Sequence, residues 1–305
     1  MRYRALGDVR VGAIGLGAMP LSIEGHPDEA RALATVHAAL DAGVTLLDTA
    51  DSYHPPGGGP GAGERLVARA LAAYGGPCRT DDVLVATKGG RGRTADGGWT
   101  VDGRPEHLRR AAGDSARRLG VEAIGLYQLH KPDPAVPYAE SLGAIRELLD
   151  AGTIRLAGIS NVDTERILLA REILGERLVS VQNRYSPADR GSEAELRLCA
   201  DLGLAFMPWS PLGGIARSSL DGTSALEADP RFGAFHRVAR AHGVTPQRVT
   251  LAWLLTRSET VLPIPGASRP ESIRDSAGAT GLELTEGEVE ELNGCPGGRF
   301  SPSGV

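Results

Sequence analysis

Lysine, cysteine and long apolar runs are scarce in this 305-residue chain, and each scarcity excludes something. Of 33 basic residues only Lys88 and Lys131 are lysine, the rest being arginine. Surface charge is served by either residue, so the bias is consistent with GC-rich codon usage. A lysine retained in such a chain can also do what arginine cannot, acting as a compact, titratable ammonium. Both readings stay open until position is considered. The three cysteines, Cys78, Cys199 and Cys295, lie far apart with no CxxC spacing. That excludes a disulfide or zinc framework and reads as reduced thiols. No apolar run approaches the ~18–20 residues of a membrane span. The opening MRYRALGDVRVGAIGLG lacks the apolar core and cleavage site of a signal peptide. A cytoplasmic chain is expected. Excess positive charge is missing too: a net charge of −5 gives no electrostatic basis for binding nucleic acid or a membrane surface.

Apolar residues make up 41% and charged residues 23%, enough for a large core and too apolar for disorder. Glycine, at 41 residues, is abundant without a collagen-like period and suits tight turns between strands and helices. Short β-rich runs alternate with amphipathic stretches of helical period. The runs are IGLGAM (14–19), VTLLD (44–48), DVLVATK (82–88), IGLYQLH (124–130), TIRLAGISN (153–161), LVSVQN (178–183), LAFMPWS (204–210) and TVLPIPGAS (260–268). Eight such units predict a parallel α/β fold closed as a (β/α)8 barrel, a TIM barrel, forming one domain over 1–305. A doubly wound open sheet is disfavoured, because no first βα turn carries GxGxxG ahead of a helix. Residues 3–6 and 9–12 are expected to form a hairpin capping the barrel floor. Extra helices are expected within 229–243 and over 286–293, the second started by Thr285 and Glu288 as a capping box. The segment HPPGGGPGAG (54–63) is expected to be irregular and mobile.

In such a barrel the βα loops converge on one mouth, so residues ending the strands are the candidates for chemistry. These ends carry Asp48, Lys88, His130, Ser160–Asn161, Gln182, Trp209–Ser210 and the turn 266–269. Asp48, Lys88 and His130 read either as a salt bridge closing the barrel top or as a proton relay. In the relay, an ammonium beside a carboxylate lowers the pKa of a neighbouring phenol. Tyr53, five residues past Asp48, can supply that phenol.

LLDTADSY (46–53), VATKGG (85–90), LYQLHKPD (126–133), GISN (158–161), VQNRYSP (181–187), PWSPLGG (208–214) and PIPGASRPESIRDS (263–276) together resemble the aldo-keto reductase superfamily, in family order across residues 5–295. The resemblance implies an NADPH-dependent reductase of aldehydes or ketones with Asp48, Tyr53, Lys88 and His130 as its tetrad. Tyr53 would donate a proton to the carbonyl oxygen, and His130 would orient that oxygen. Lys88, paired with Asp48, would lower the Tyr53 pKa. It implies that Ser160, Asn161 and Gln182 hold the nicotinamide carboxamide and that Trp209 stacks on the ring. A core tryptophan at a strand end is the alternative for Trp209. It further implies cofactor contacts from Met19, Asp48, Ser210, Pro211, Leu212 and Gly214, and an adenosine 2′-phosphate site at Gly266, Ser268, Arg269 and Asp275. Ser276 stands where the family's adenine-contacting asparagine is usual, and Ser272 where a longer polar side chain is common. The short tail after Cys295 is expected to leave the mouth open, and the variable loops offer no charged pair that demands a particular anion. A small carbonyl compound is the expected partner. Three other readings are kept: a redox-sensing regulatory protein with little turnover, a Schiff-base lyase using Lys88, and a metal-dependent hydrolase using Asp48, Asp51, His54 and His130.

Overall fold

Two four-residue strands, β1 (Tyr3–Leu6) and β2 (Val9–Gly12), pair antiparallel across a turn at Gly7, whose φ of +63° suits a residue without a Cβ. This opens the computed structural model, which describes residues 2–216 and 229–298. Leu6 and Val11 leave the hairpin to pack among Leu46, Leu126, Val179 and Leu262, so the hairpin plugs one end of the barrel interior, as its pattern suggests. The barrel strands begin with β3 (Leu16–Gly17), β4 (Leu46–Asp48) and β5 (Leu84–Gly89). A second hairpin, β6 (Arg91–Arg93) and β7 (Trp99–Val101), is inserted after β5. The barrel continues through β8 (Ile124–Leu129), β9 (Ile154–Ser160), β10 (Leu178–Gln182) and β11 (Ala205–Phe206). These seven are parallel neighbours in chain order, β11-β10-β9-β8-β5-β4-β3.

The eighth segment closes the barrel without forming a regular strand. On one side Leu262 N–H donates to Phe206 O at 2.8 Å, and a bridge pairs Phe206 with Val261. On the other, Gly15 and Gly17 N–H donate to Pro263 O and Pro265 O at 2.9 and 3.0 Å. Neither proline has an N–H to return, so the ladder toward β3 carries only half its bonds. The expected strand over 260–268 is thereby reduced to bridges, and the first strand shrinks from 14–19 to Leu16–Gly17.

Helices α1 (Glu29–Asp41), α2 (Ala62–Ala72), α3 (Pro105–Leu119), α4 (Tyr138–Asp150), α5 (Thr164–Leu174) and α6 (Glu193–Leu202) follow the first barrel strands in turn. After them come α7 (Gly233–His242), α8 (Pro246–Thr256), α9 (Pro270–Ala277) and α10 (Glu286–Asn293). Contact between α1 and α9 brings the helical ring round on itself. Their starts follow side-chain chemistry: Asp28 accepts from Arg31 N–H at 2.9 Å, and α3 opens with Pro105 and stops at left-handed Gly120. At α10 both arms of the expected capping box form. Helix α2 begins at Ala62, inside the segment expected to be irregular. Gly61 turns the chain there with φ +78°, where a Cβ would lie 2.0 Å from Arg118 Nε. Between sheet and helices lie buried Leu108, Ile124, Leu142, Ile145 and Ile167, each contributing ~1.5–3 kcal/mol. Among the described residues, no helix is long and apolar enough to cross a membrane.

Candidate active site

Parallel strands all end on the same side, so the terminal residues of β4, β5 and β8 meet there although 40 or more positions separate them. Lys88, fully buried near the end of β5, points its ammonium at three acceptors. It donates to Asp48 Oδ2 at 2.6 Å, to the Thr49 carbonyl at 2.9 Å and to Tyr53 Oη at 3.2 Å. An ammonium has three N–H bonds, and all three are used. Burial pulls the Lys88 pKa down, but Asp48 and Tyr53 outweigh it and the pKa stands above the ordinary lysine value. Burial pushes the Tyr53 phenol up, and Lys88 pulls against that shift without cancelling it. Lys88 therefore acts on the phenol in the expected direction, while burial leaves its pKa above the ordinary value.

His130, just past β8, sets its ring edge-on to Tyr53, with centroids 5.8 Å apart and planes at 83°. Burial, then the charges of Lys88, Arg91 and Lys131, push its pKa well below the ordinary value, so the imidazole is neutral. The second Asp48 oxygen accepts from Gln182 Nε2 at 2.9 Å and from Gln128 Nε2 at 3.1 Å. Gln128 was not foreseen. Its signal is a polar residue two before His130, on the strand face that Leu126 turns to the barrel interior.

A cavity opens above this cluster. Asp48, Tyr53 and His130 share its lining with Ser160, Asn161 and Gln182, with Trp209, Ser210, Pro211 and Leu212, and with Met19 and Gly266. Asn161 and Ser210 have φ of 59° and 48°, the only positive values outside glycine among the described residues. Strain of this kind concentrates at functional sites. Asn161 Nδ2 donates to His130 O at 2.9 Å and Ser160 Oγ at 3.0 Å, and Ser160 Oγ donates to Gln182 O at 2.6 Å. Trp209 keeps its buried Nε1 without a hydrogen-bond partner, and the Arg184 guanidinium lies 5.3 Å from the ring centroid.

Other expected contacts stand back from the cavity. Gly214, at φ +89°, turns the loop against Phe232. Ser268 and Arg269 lie at the start of α9, with Arg269 Nε donating to Ser272 Oγ at 3.0 Å. Asp275 pairs its carboxylate with Arg248 at 2.9 Å and accepts a hydrogen bond from Thr245. Ser276 turns its hydroxyl back onto Ser272 O at 3.0 Å and is buried. Ser272 is equally short. Of the set once considered for a metal, Asp48 is taken by Lys88, and His54 Nδ1 lies 2.9 Å from Pro55 O. Two lining residues, Arg91 and Trp99, come from the inserted hairpin and were not among the expected contacts.

The model of the aldo/keto reductase family matches residues 13–296. The chain is 33% identical to pyridoxine 4-dehydrogenase of Escherichia coli over 300 residues, covering 95% of this chain and 96% of that one. Its fold matches the glycerol dehydrogenase of Gluconobacter oxydans with TM-score 0.81 and 28% identity, over 95% of this chain and 94% of the other. It matches an aldo/keto reductase of Klebsiella pneumoniae, solved with NADP and acetate, with TM-score 0.77 and 26% identity over 99% and 98% of the two chains.

Proposed function

Because the chain belongs to the aldo/keto reductase family and is an oxidoreductase, we propose that it reduces aldehydes or ketones with NADPH, Tyr53 donating the proton to the carbonyl oxygen. The observation that carries this is the Tyr53 hydroxyl, held 3.2 Å from a saturated ammonium and lining the cavity. The cavity's chemistry suits a nicotinamide nucleotide. Ser160 and Asn161 combine hydroxyl and amide groups able to match a carboxamide, which both donates and accepts. The Trp209 ring offers a flat apolar face. Gly266 allows close approach, since a Cβ there would sit 2.8 Å from Pro20 Cγ. Ser210, Pro211, Leu212 and Gly214 supply a loop for the pyrophosphate. Ser268, Arg269 and the start of α9 supply donors for a 2′-phosphate. When bound, NADPH supplies the hydride that the carbonyl carbon receives.

The remaining work falls to this chain's own side chains. Tyr53 carries its proton at neutral pH, and Lys88 stabilises the phenolate left after transfer. Asp48 fixes the ammonium, while Gln128 and Gln182 fix Asp48. A neutral His130 can donate a hydrogen bond to the substrate oxygen without competing as an acid. Lys88 is protonated and triply hydrogen-bonded, which argues against a free amine nucleophile for Schiff-base chemistry.

The test follows NADPH oxidation by a panel of aldehydes and ketones, with wild type and Tyr53→Phe. We expect turnover to fall ~10²–10⁴-fold in the variant, the range of general acid catalysis, while NADPH binding by fluorescence titration stays close to wild type. A fall of less than ~10-fold removes Tyr53 from the role. The same titration should give NADPH an advantage over NADH of about tenfold or more, because a charge-assisted bond to the 2′-phosphate is of that order. Equal binding would refute the 2′-phosphate site and leave the reductase reading standing.

A further inference from the structure

The inserted hairpin β6–β7 delivers one charged group to the cavity that the reaction so far leaves unused. Strand alternation puts Arg91 and Arg93 on one face, with Val101 and Trp99 as their cross-strand partners. Both guanidiniums lie over the Trp99 ring, 4.2 Å from its centroid for Arg91 and 4.5 Å for Arg93. Their charges are treated differently. Arg93 is matched by Glu24 and also donates to His54 O at 2.9 Å and Gly97 O at 2.7 Å. Arg91 forms no ion pair and no side-chain hydrogen bond among the described residues, and its Nε is sealed from solvent with no partner. It lines the cavity together with Tyr53, His130 and Trp99. The carboxylate that shares this lining, Asp48, is already saturated by Lys88, Gln128 and Gln182.

A guanidinium partly removed from water with no counter-ion is costly unless something supplies one. The side chain is held in place by the indole beneath it, so little conformational freedom remains to be lost on binding. Its planar fork suits a carboxylate or phosphate, and the bonds to either are charge-assisted. We propose that Arg91 binds an anionic group on the substrate, so that the preferred substrates are carbonyl compounds bearing a carboxylate or a phosphate. This rests on the reductase reading above and adds a substrate class to it. It goes beyond the sequence, where no charged pair in the variable loops demands a particular anion. Strand pairing between β6 and β7 turns Arg91 inward.

The experiment compares matched substrates with wild type, Arg91→Gln and Arg91→Lys. One pair is 4-carboxybenzaldehyde and its methyl ester, which tests a carboxylate. The other is glyceraldehyde 3-phosphate and glyceraldehyde, which tests a phosphate. In wild type, kcat/KM should favour the charged member of at least one pair by about tenfold or more, carried by KM. Arg91→Gln should collapse that ratio, and Arg91→Lys should keep part of it. Should the glutamine variant not fold, wild type alone still decides: added salt should raise KM for the charged member more than for the neutral one. Wild type showing no preference in either pair, or Arg91→Gln retaining it, overturns the proposal. Reduction of neither member by wild type would instead overturn the reductase reading on which it stands.

Discussion

Lys88 illustrates how much one side chain's geometry demands of its identity. Its three acceptors lie at 2.6, 2.9 and 3.2 Å, and each takes one N–H of a compact ammonium. A guanidinium at that position would be larger and planar, with five donors competing for three acceptors in a space with no exposure. Lys88→Met is expected to abolish reduction at neutral pH, and Lys88→Arg to restore little of it. Steady-state rates across a pH series check this, and an arginine variant within ~10-fold of wild type would show that charge alone suffices. The lysine scarcity singled out this residue in the sequence, and the site gives a physical reason for its retention. Gln128 was not singled out, because a strand glutamine becomes meaningful only once Asp48 is seen 3.1 Å away on a different strand.

Helices and strands were legible to different degrees. Helix starts are local: Asp28, Pro105 and the Thr285–Glu288 pair each act within one turn, so the sequence exposes them. Thr285→Ala removes the hydroxyl arm of the α10 capping box and should destabilise the protein by ~0.5–2 kcal/mol. Urea denaturation measures this, and since α10 carries none of the proposed site residues, reductase turnover should hold. Strand lengths were less legible. Pro263 and Pro265 sit in a segment whose β-rich apolar character reads as strand, yet their missing N–H groups thin the ladder to bridges. The hairpin β6–β7 also escaped notice, because Arg91–Arg93 and Trp99–Val101 carry too few apolar residues to show a strand period.

For the molecule as a whole, two buried titratable groups give opposed dependences of stability on pH. Burial, then Glu64, raises Asp51 to about 8. The unfolded chain releases that proton near pH ~3.9. Between those values the native state binds more protons, so the Asp51 contribution falls as pH rises toward about 8. His130 acts in reverse: its native pKa is depressed, so the unfolded state gains the proton first and stability falls as pH drops below ~6.5. From about pH 6.5 to about 8, Asp51 is therefore the one of the two that operates. Asp51→Asn should flatten the loss of stability across that interval, read as urea midpoints at its two ends. A wild-type slope that the substitution leaves unchanged would contradict the assignment.

The sequence by itself determined the alternation of strand and helix, and with it the positions of Asp48, Lys88 and His130 at strand ends. In a parallel barrel, ending a strand and facing the mouth are the same property, so order along the chain suffices. Tertiary structure decided what those residues touch and in which state they stand. Desolvation set the direction of the Tyr53 shift, and packing between α8 and α9 drew Asp275 to Arg248. Pairing of Arg93 with Trp99 helped turn Arg91 toward the cavity. Each of these depends on distances between residues far apart in sequence or on the exclusion of water, and neither exists until the chain has closed on itself.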